Sequence, residues 1–467
     1  MEANRQMEMK LDDKEYTYVF QTKEEMATKS PSKIRRKIWQ IFPSVCGTMM
    51  VLPFGIMLGW PSPTYPTLIK PESPVPISLD QSAMVAGFLM IGNTVATPFS
   101  SMRRFGAKYG IIFGVFLMTV GWILMWQAKD IYWLLGSRFL IGAGNGYGVG
   151  QLKFYINEMC QDSLAQFLIK QINLYIFSGV ILAFAYGPFV DFRQFSIIAS
   201  IISILVLFLA IFLPSTPREL LRSGKVPEAT KLVAFLSPQV DVGAEIAKIK
   251  EKINLGEKHL SFCDIVRQAA LRKSFLIFTL LVFCQQFSGA PATIVYSQII
   301  FAESHCPRPE LCALVYSFVF FLANGYGIFC TPNHNKKHVF LFSSVGVSLL
   351  LGVKILVLVE KVNDTFWGFT SLVVLILFNI VHTVGLGNVP FSLISELFPK
   401  EANKVVVHFF VMFHSMLALT ITKIFQTMYD RLGLFAPFCL FLTISTFSII
   451  FVIIFVPNKK KKPTGIL

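Results

Sequence analysis

Gln285 and Gln286 stand side by side near the middle of an apolar run of helix-spanning length, and Phe287-Ser288-Gly289 follows at once. A side-chain amide carries two donors and an acceptor oxygen. Two of them in hydrocarbon cost several kcal/mol unless they find partners or face a wet cavity. Polar groups at membrane depth mark a functional site by default, and the chemistry open to amides is reversible hydrogen bonding rather than bond making. The competing reading is an interhelical hydrogen bond with no ligand. His382, His408 and His414 raise a proton relay, but a lone helical histidine more often packs, and packing is the expectation here. Lys354 is expected to snorkel or to face a cavity. Paired carboxylates, a Ser-His-acid set and metal-ligand spacings do not emerge from the sequence, so neither an enzyme nor a cofactor is expected.

The elements that must position these residues are membrane spans. Of the 467 residues, 54% are hydrophobic, 15% are charged and 46 are Phe, whereas a soluble chain carries about 25% charged residues. Apolar runs recur at roughly the 20 residues that a bilayer core requires. They predict spans at 39–60, 82–102, 110–127, 132–157, 167–188 and 194–213, then at 274–300, 313–331, 338–359, 366–390, 405–426 and 434–456. The fold class is therefore an all-α membrane protein with twelve transmembrane helices. Residues 1–37 are polar and mixed in charge, without an apolar core, so the first span is expected to act as the insertion signal. Residues 214–273 are polar. Ala229, Leu232, Val233, Phe235 and Leu236 are spaced for one helical face there, and Ile246, Ile249 and Ile253 for another, which predicts short amphipathic helices. The chain thus divides into a tail (1–37), a six-helix bundle (38–213), a linker (214–273), a second six-helix bundle (274–457) and a basic tail (458–467). Two bundles around a linker are the layout of transporters that rock about a midplane site.

Lys and Arg near the span ends set the orientation. Lys33, Arg35, Arg36, Lys37, Arg103, Arg104, Lys108 and the run Lys459 to Lys462 fall on one side, against a few such as Lys70, Lys129 and Arg431 on the other. The first side, with both termini and the linker, is expected to be cytoplasmic, in the plasma membrane. The net charge of +15 is then mostly topology; the terminal Lys run reads as an anchor on anionic lipid, and no nucleic-acid partner is expected. Cys306 and Cys312 share a short outer loop where a disulfide is an option, and Asn363-Asp364-Thr365 is an outer glycosylation sequon. Gly142, Gly146 and Gly150 lie four apart on one face of the fourth span, where a second backbone can approach closely. Gly385 to Pro390 is expected to break the tenth span.

Over residues 38–457 the sequence resembles the sugar porter branch of the major facilitator superfamily. Gln285-Gln286 with Ser288-Gly289, Tyr296 and Ile300-Phe301 is similar to that family's seventh-span pattern. Gly136 to Leu140 with Tyr155 to Glu158 resembles its fourth-span motif. Pro214 to Arg218 resembles the motif after the sixth span, and Gly387 to Pro390 with Ser395 to Pro399 the tenth-span pair. Gly59-Trp60-Pro61-Ser62-Pro63 is similar to a stretch of the insect trehalose and glucose transporters. The resemblance implies two bundles enclosing a sugar site, with a hexose or disaccharide as solute. Side-chain amides match sugar hydroxyls, and an aromatic face covers the apolar side of the ring. The implied contacts are Gln285, Gln286, Asn173 at a fifth-span amide position, Asn324 in the eighth span, Phe391 in place of a Trp, His414 in place of an Asn, and Tyr296 as a gate or a packed ring.

Departures cluster. Pro291 stands where the family has a sugar-contacting Asn, and Lys153 where it has a fourth-span Pro; Lys153 is expected to reach towards Glu158. The loop signatures around Arg103-Arg104 and Pro332 to Lys337 are degraded, and Ala165 and Asn403 replace loop arginines. Of the charges that latch the bundles in the family, Arg138, Glu158, Arg218 and Glu396 survive. The expectation is a weak inner latch and a resting state shifted towards inward-facing. No Asp or Glu occupies a proton-carrier position in the early spans, which favours facilitated diffusion. The alternatives are a non-transporting sugar sensor derived from a transporter, and a porter for a polyol or another organic solute.

Overall fold

The computed structural model describes residues 33–102, 106–236, 241–254, 262–330, 335–359, 365–399 and 401–456. The N-terminal tail to residue 32, the basic C-terminal tail, Arg103, Arg104 and Asn363 lie outside them, as do Pro332 to His334. Among the described residues the regular structure is helical throughout. Eleven helices are long and apolar enough to cross a membrane: Ile34–Leu68, Leu79–Ser101, Ala107–Trp126, Asp162–Phe189, Phe192–Ile211, Leu271–Val295, Pro309–Gly327, Lys336–Val359, Phe366–Ile394, Val405–Leu432 and Phe435–Phe455. One more membrane-length helix, Ile131–Met159, is the fourth span; its 29 residues reach about 44 Å. Arg138, Lys153 and Glu158 lower its hydropathy, yet its position between the second and third spans buries most of it.

Boundaries follow local chemistry. The second span begins at Leu79 rather than 82 because Ser78 and Gln81 form a reciprocal cap that satisfies two orphan backbone donors. The first span continues past residue 60 because Pro61 sits in the first turn of a further helix, Pro61–Leu68, where a missing N–H costs nothing.

The first six spans form one bundle and the last six another. The bundles meet along two seams, second span against eleventh and fifth against eighth. Glycine sets the spacing inside the first bundle. A Cβ on Gly142 or Gly146 would overlap the carbonyls of Leu89 and Asn93 on the second span, and one on Gly150 would meet Ser100 Oγ at 2.5 Å. Gly144 approaches Gly114 of the third span in the same way. The fourth span is therefore gripped on two faces.

Two spans break at midlength. The seventh stops at Phe287, passes through Gly289 at φ +99°, and restarts as Ala290–Val295. The tenth widens into a π-helical turn over Thr383–Gly387 before Val389–Leu397. Carbonyls freed at such depth are tolerated only against protein or a water-filled cavity.

In the linker, Ala229 and Val233 join Leu221, Val242 and Ile246 in one apolar cluster. Leu232 and Phe235 instead pack on the membrane core, with the Phe235 ring 5.7 Å from Trp39 and Gln40 Nε2 donating to Leu236 O at 2.9 Å. The single face expected for Val226–Leu236 is thus two faces, one for the neighbouring short helices and one for the start of the first span. Thr216 and Glu219 cap the helix Pro217–Arg222. Glu219 Oε1 also accepts from Lys108 N at 2.7 Å, which ties the linker to the first turn of the third span.

Cys306 and Cys312 are buried free thiols, and Cys306 Sγ donates to Gly368 O at 3.1 Å. Burial, reinforced by neighbouring Cys312, pushes the Cys306 thiol up to about 12. The thiolate is the reactive form, so at pH 8 Cys306 is expected to alkylate roughly a hundredfold or more slowly than an ordinary exposed thiol. Exposed Cys263 supplies the internal reference in a peptide-mapping time course with iodoacetamide.

Gly106 lies at φ +94°, and a Cβ there would sit 2.5 Å from the Glu219 side chain. Gly106→Ala is expected to destabilise the protein by about 1–3 kcal/mol. Gly224 also has positive φ but open space around it, so Gly224→Ala should lower the melting temperature of the detergent-solubilised protein less.

Candidate solute site

Gln285 and Gln286 occupy the last turn of the helix Ala269–Phe287, just before the seventh-span break. Gln285 Nε2 donates to Gly387 O at 2.7 Å, a carbonyl that the tenth-span bend exposes. The same bend is braced by Ser343 of the ninth span, which donates to Val381 O at 2.7 Å and accepts from Leu386 N at 3.0 Å. Asn388 Nδ2 closes it onto Thr383 O at 2.7 Å. Gln285 and Gln286 are 7% and 3% exposed, and the Oε1 atoms of both are buried without a hydrogen-bond partner. The interhelical role and the open acceptor coexist in Gln285. His382 packs here too, stacked on Phe378 at 5.7 Å, with Nε2 3.5 Å from Gln285 O.

The other expected contacts are distributed around this centre. Asn324 is buried and donates to Phe320 O of its own helix at 2.8 Å. Asn173 is exposed. Its helix turns Ile172, Gly179 and Val180 inward, with Gly55 of the first span against Ile176 O. Phe177 lies 4.5 Å from Phe320 of the eighth span. Phe167 and Leu182 form the exposed apolar side of that helix. At 100° per residue Asn173 lies about 40° around the helix from Phe177, with exposed Gln166 and Lys170 within about 60° of it.

Phe391 is 43% exposed, and the ammonium of Lys153 from the other bundle stands 5.6 Å from its ring centroid. Phe391 packs on Phe410 at 5.5 Å, and Phe410 on His414 at 5.6 Å. His408 Nε2 is 3.1 Å from Ser100 Oγ across the bundles. The expected reach of Lys153 towards Glu158 is not what forms: five residues place the two about 140° apart around one helix. Lys354 does not snorkel; fully buried, it bonds Ser304 Oγ at 2.8 Å and Ser371 Oγ, beneath the Phe438 ring at 5.6 Å.

Asn93 and Asn145 were not singled out in the sequence. Asn145 Nδ2 donates to Asn93 Oδ1 at 2.9 Å, and Asn93 Nδ2 to Ser415 Oγ of the second bundle at 2.8 Å. Asn145 Oδ1 is buried and unpartnered. The criterion that selected Gln285, an amide inside an apolar run, would have found both.

At the end of the molecule remote from the linker, the bundles are closed. Ser62 and Ser297 hydroxyls are 2.8 Å apart. Tyr296, 1% exposed, stacks on Phe425 at 5.1 Å, lies 6.0 Å from the Tyr65 ring and reaches Ser82 Oγ at 3.4 Å. Lys423 pairs with Asp80 at the rim. At the linker end, Glu158 and Arg218 line one small pocket with Glu219, Arg222 and Gly106. Glu396 pairs with Lys336 of its own bundle at 3.2 Å. Arg138 stands apart from these, some 30 Å along the fourth span from Glu158. It is 1% exposed, with the guanidinium 5.3 Å from the Trp60 ring and 3.5 Å from Met57 Sδ and Ala86 O.

Known proteins resemble this chain in fold and in sequence. The inward-open xylose transporter XylE from E. coli superposes with a TM-score of 0.76 at 15% identity, covering 91% of this chain and 98% of that one. The facilitated glucose transporter member 8 of solute carrier family 2 from Bos taurus is 25% identical over 436 residues, 88% of this chain and 90% of its own. The facilitated trehalose transporter Tret1 of Apis mellifera ligustica is 22% identical over 445 residues, 92% and 88% of the two chains. The model of the family described as "Sugar (and other) transporter" matches residues 18–465, nearly the whole sequence. With twelve spans in two bundles and buried amides at their broken helices, the chain belongs to that sugar transporter family and is a carrier rather than an enzyme.

Proposed function

We propose that the protein moves a sugar-like, hydroxylated solute across the membrane by alternating access, at a site between the bundles built around Gln285 and Gln286. The observation that carries this reading is the pair of buried Oε1 atoms with no partner. A buried acceptor left unmade costs about 1–3 kcal/mol, and solute hydroxyls would supply the missing donors. The names of the relatives, transporters of glucose and trehalose, support a hexose or disaccharide. Asn173, Asn324, Phe391 and His414 are the further contacts proposed. Facilitated diffusion is favoured because Asp80 is the one acid in the first three spans, and it sits at the rim.

The linker end is proposed to be cytoplasmic, in a plasma membrane, with both termini on that side. The polar exposed line of Gln166, Lys170 and Asn173 supports water access from the linker end, while Tyr296 and Ser297 close the other. The resting state is accordingly read as inward-facing, with Tyr296 as the outer gate and Glu158, Arg218 and Glu396 as parts of the inner charge network.

Gln285→Ala combined with Gln286→Ala is expected to abolish uptake in proteoliposomes while leaving the amount of folded protein intact. Uptake kinetics equal to those of the parent would overturn the site assignment. Ligand binding without flux in the parent would point instead to a sensor.

Gate strength should follow burial. The Asp80–Lys423 pair is 69% and 40% exposed, so it contributes only about 0–1 kcal/mol. In a Ser62→Cys background, labelling by a membrane-impermeant thiol reagent is expected to rise roughly tenfold with Tyr296→Ala, since the stacked cluster is lost. Lys423→Gln should raise it less than about fivefold.

A further inference from the structure

We propose that the solute carries a negative charge and that Lys153 selects for it; this rests on the transport reading above and names its solute class. The fourth span places two cations inside the molecule without a carboxylate partner among the described residues. Arg138 touches a sulfur, a carbonyl and a ring. Lys153 faces the second bundle across Phe391. The nearby acids are engaged elsewhere: Glu158 lines the pocket of Arg218, Glu219 and Arg222, Glu396 is held by Lys336, and Asp80 by Lys423.

Lys153 therefore places a positive group between the bundles. A partly desolvated ammonium loses hydration that one cation–π contact restores only in part. A neutral sugar would leave that deficit standing. A solute carboxylate or phosphate would offset it, through a charge-assisted hydrogen bond about twice as strong as a neutral one. Phe391 is 43% exposed while lying against Lys153, so ring and ammonium border open space instead of sealing each other. The amides of Gln285 and Gln286 suit the hydroxylated part of the solute, and Lys153, nearer the linker end, suits its charged end.

Three probes that differ only at C6 test this: glucose, glucuronate and glucose 6-phosphate, each radiolabelled, offered to the full-length protein in proteoliposomes. Uptake of glucuronate or of the phosphate is expected to exceed that of glucose by about tenfold, the gain of one charge-assisted bond, and to quicken under an inside-positive potential. Which of the two moves distinguishes a carboxylate from a phosphate solute. Lys153→Gln is expected to lower the ratio of charged to neutral uptake about tenfold, and Lys153→Arg, which keeps the charge, to preserve it; the Arg variant also guards against a folding defect in the Gln variant. Glucose moving as fast as both charged probes, or a ratio that Lys153→Gln leaves unaltered, would overturn the anion inference and leave sugar transport standing. If none of the three is moved or bound, both readings fall.

Discussion

Hydrocarbon offers no hydrogen bonds, and the centre of this protein is organised by that lack. The hydrogen bond from Gln285 Nε2 to Gly387 O joins the two helices that break at midlength. Each break alone would expose carbonyls at a depth where nothing answers them. Together they satisfy one another in part, and the remainder, the acceptor oxygens of Gln285 and Gln286, is what a solute could use. The bend and the amides are thus one device. Gly289 permits the first break, Gly385 lets the ninth span approach the second break, Ser343 and Asn388 brace it, and the glutamine amide couples it to the first.

The first bundle supplies the other wall through close backbone contact. Because Gly142, Gly146 and Gly144 bring the second and third spans against the fourth, that helix can be polar and still sit at membrane depth. Arg138, Asn145 and Lys153 fall within about 80° of one another around its axis. Arg138 stays within its own bundle, on Met57, Ala86 and Trp60, while the other two reach across to the opposite bundle. Asn145 reaches it through Asn93 and Ser415, and Lys153 through Phe391.

Closure is unequal at the two ends. The far end is held by stacked, fully buried rings and matched hydroxyls. At the linker end, among the described residues, Glu219 accepts from Lys108 N at the start of the third span and Glu396 pairs with Lys336 of its own bundle. Buried aromatic stacking resists opening more than rim charges that water screens. The asymmetry gives the inward-facing reading its physical basis.

Much of this was legible in the chain. Length and hydropathy determined twelve spans, because a bilayer imposes one length, and Gly385 to Pro390 marked the tenth-span break, because Gly and Pro act locally; the seventh-span break at Gly289 was not expected. An amide in an apolar run identified Gln285 and Gln286 for the same local reason. Partner choice was not legible, since it depends on which helix faces which. Lys153 looked like a partner of Glu158 until the helix turned it towards Phe391. Lys354 looked able to reach an interface until Ser304 and Ser371 enclosed it, and Arg138 looked like part of an inner latch until its helix carried it to the other end. By itself the sequence determined what must cross the membrane and which groups could not be left dry. Only the tertiary structure decided which of those groups answer each other, because hydrogen bonds and charges are settled by neighbours that lie far away along the chain.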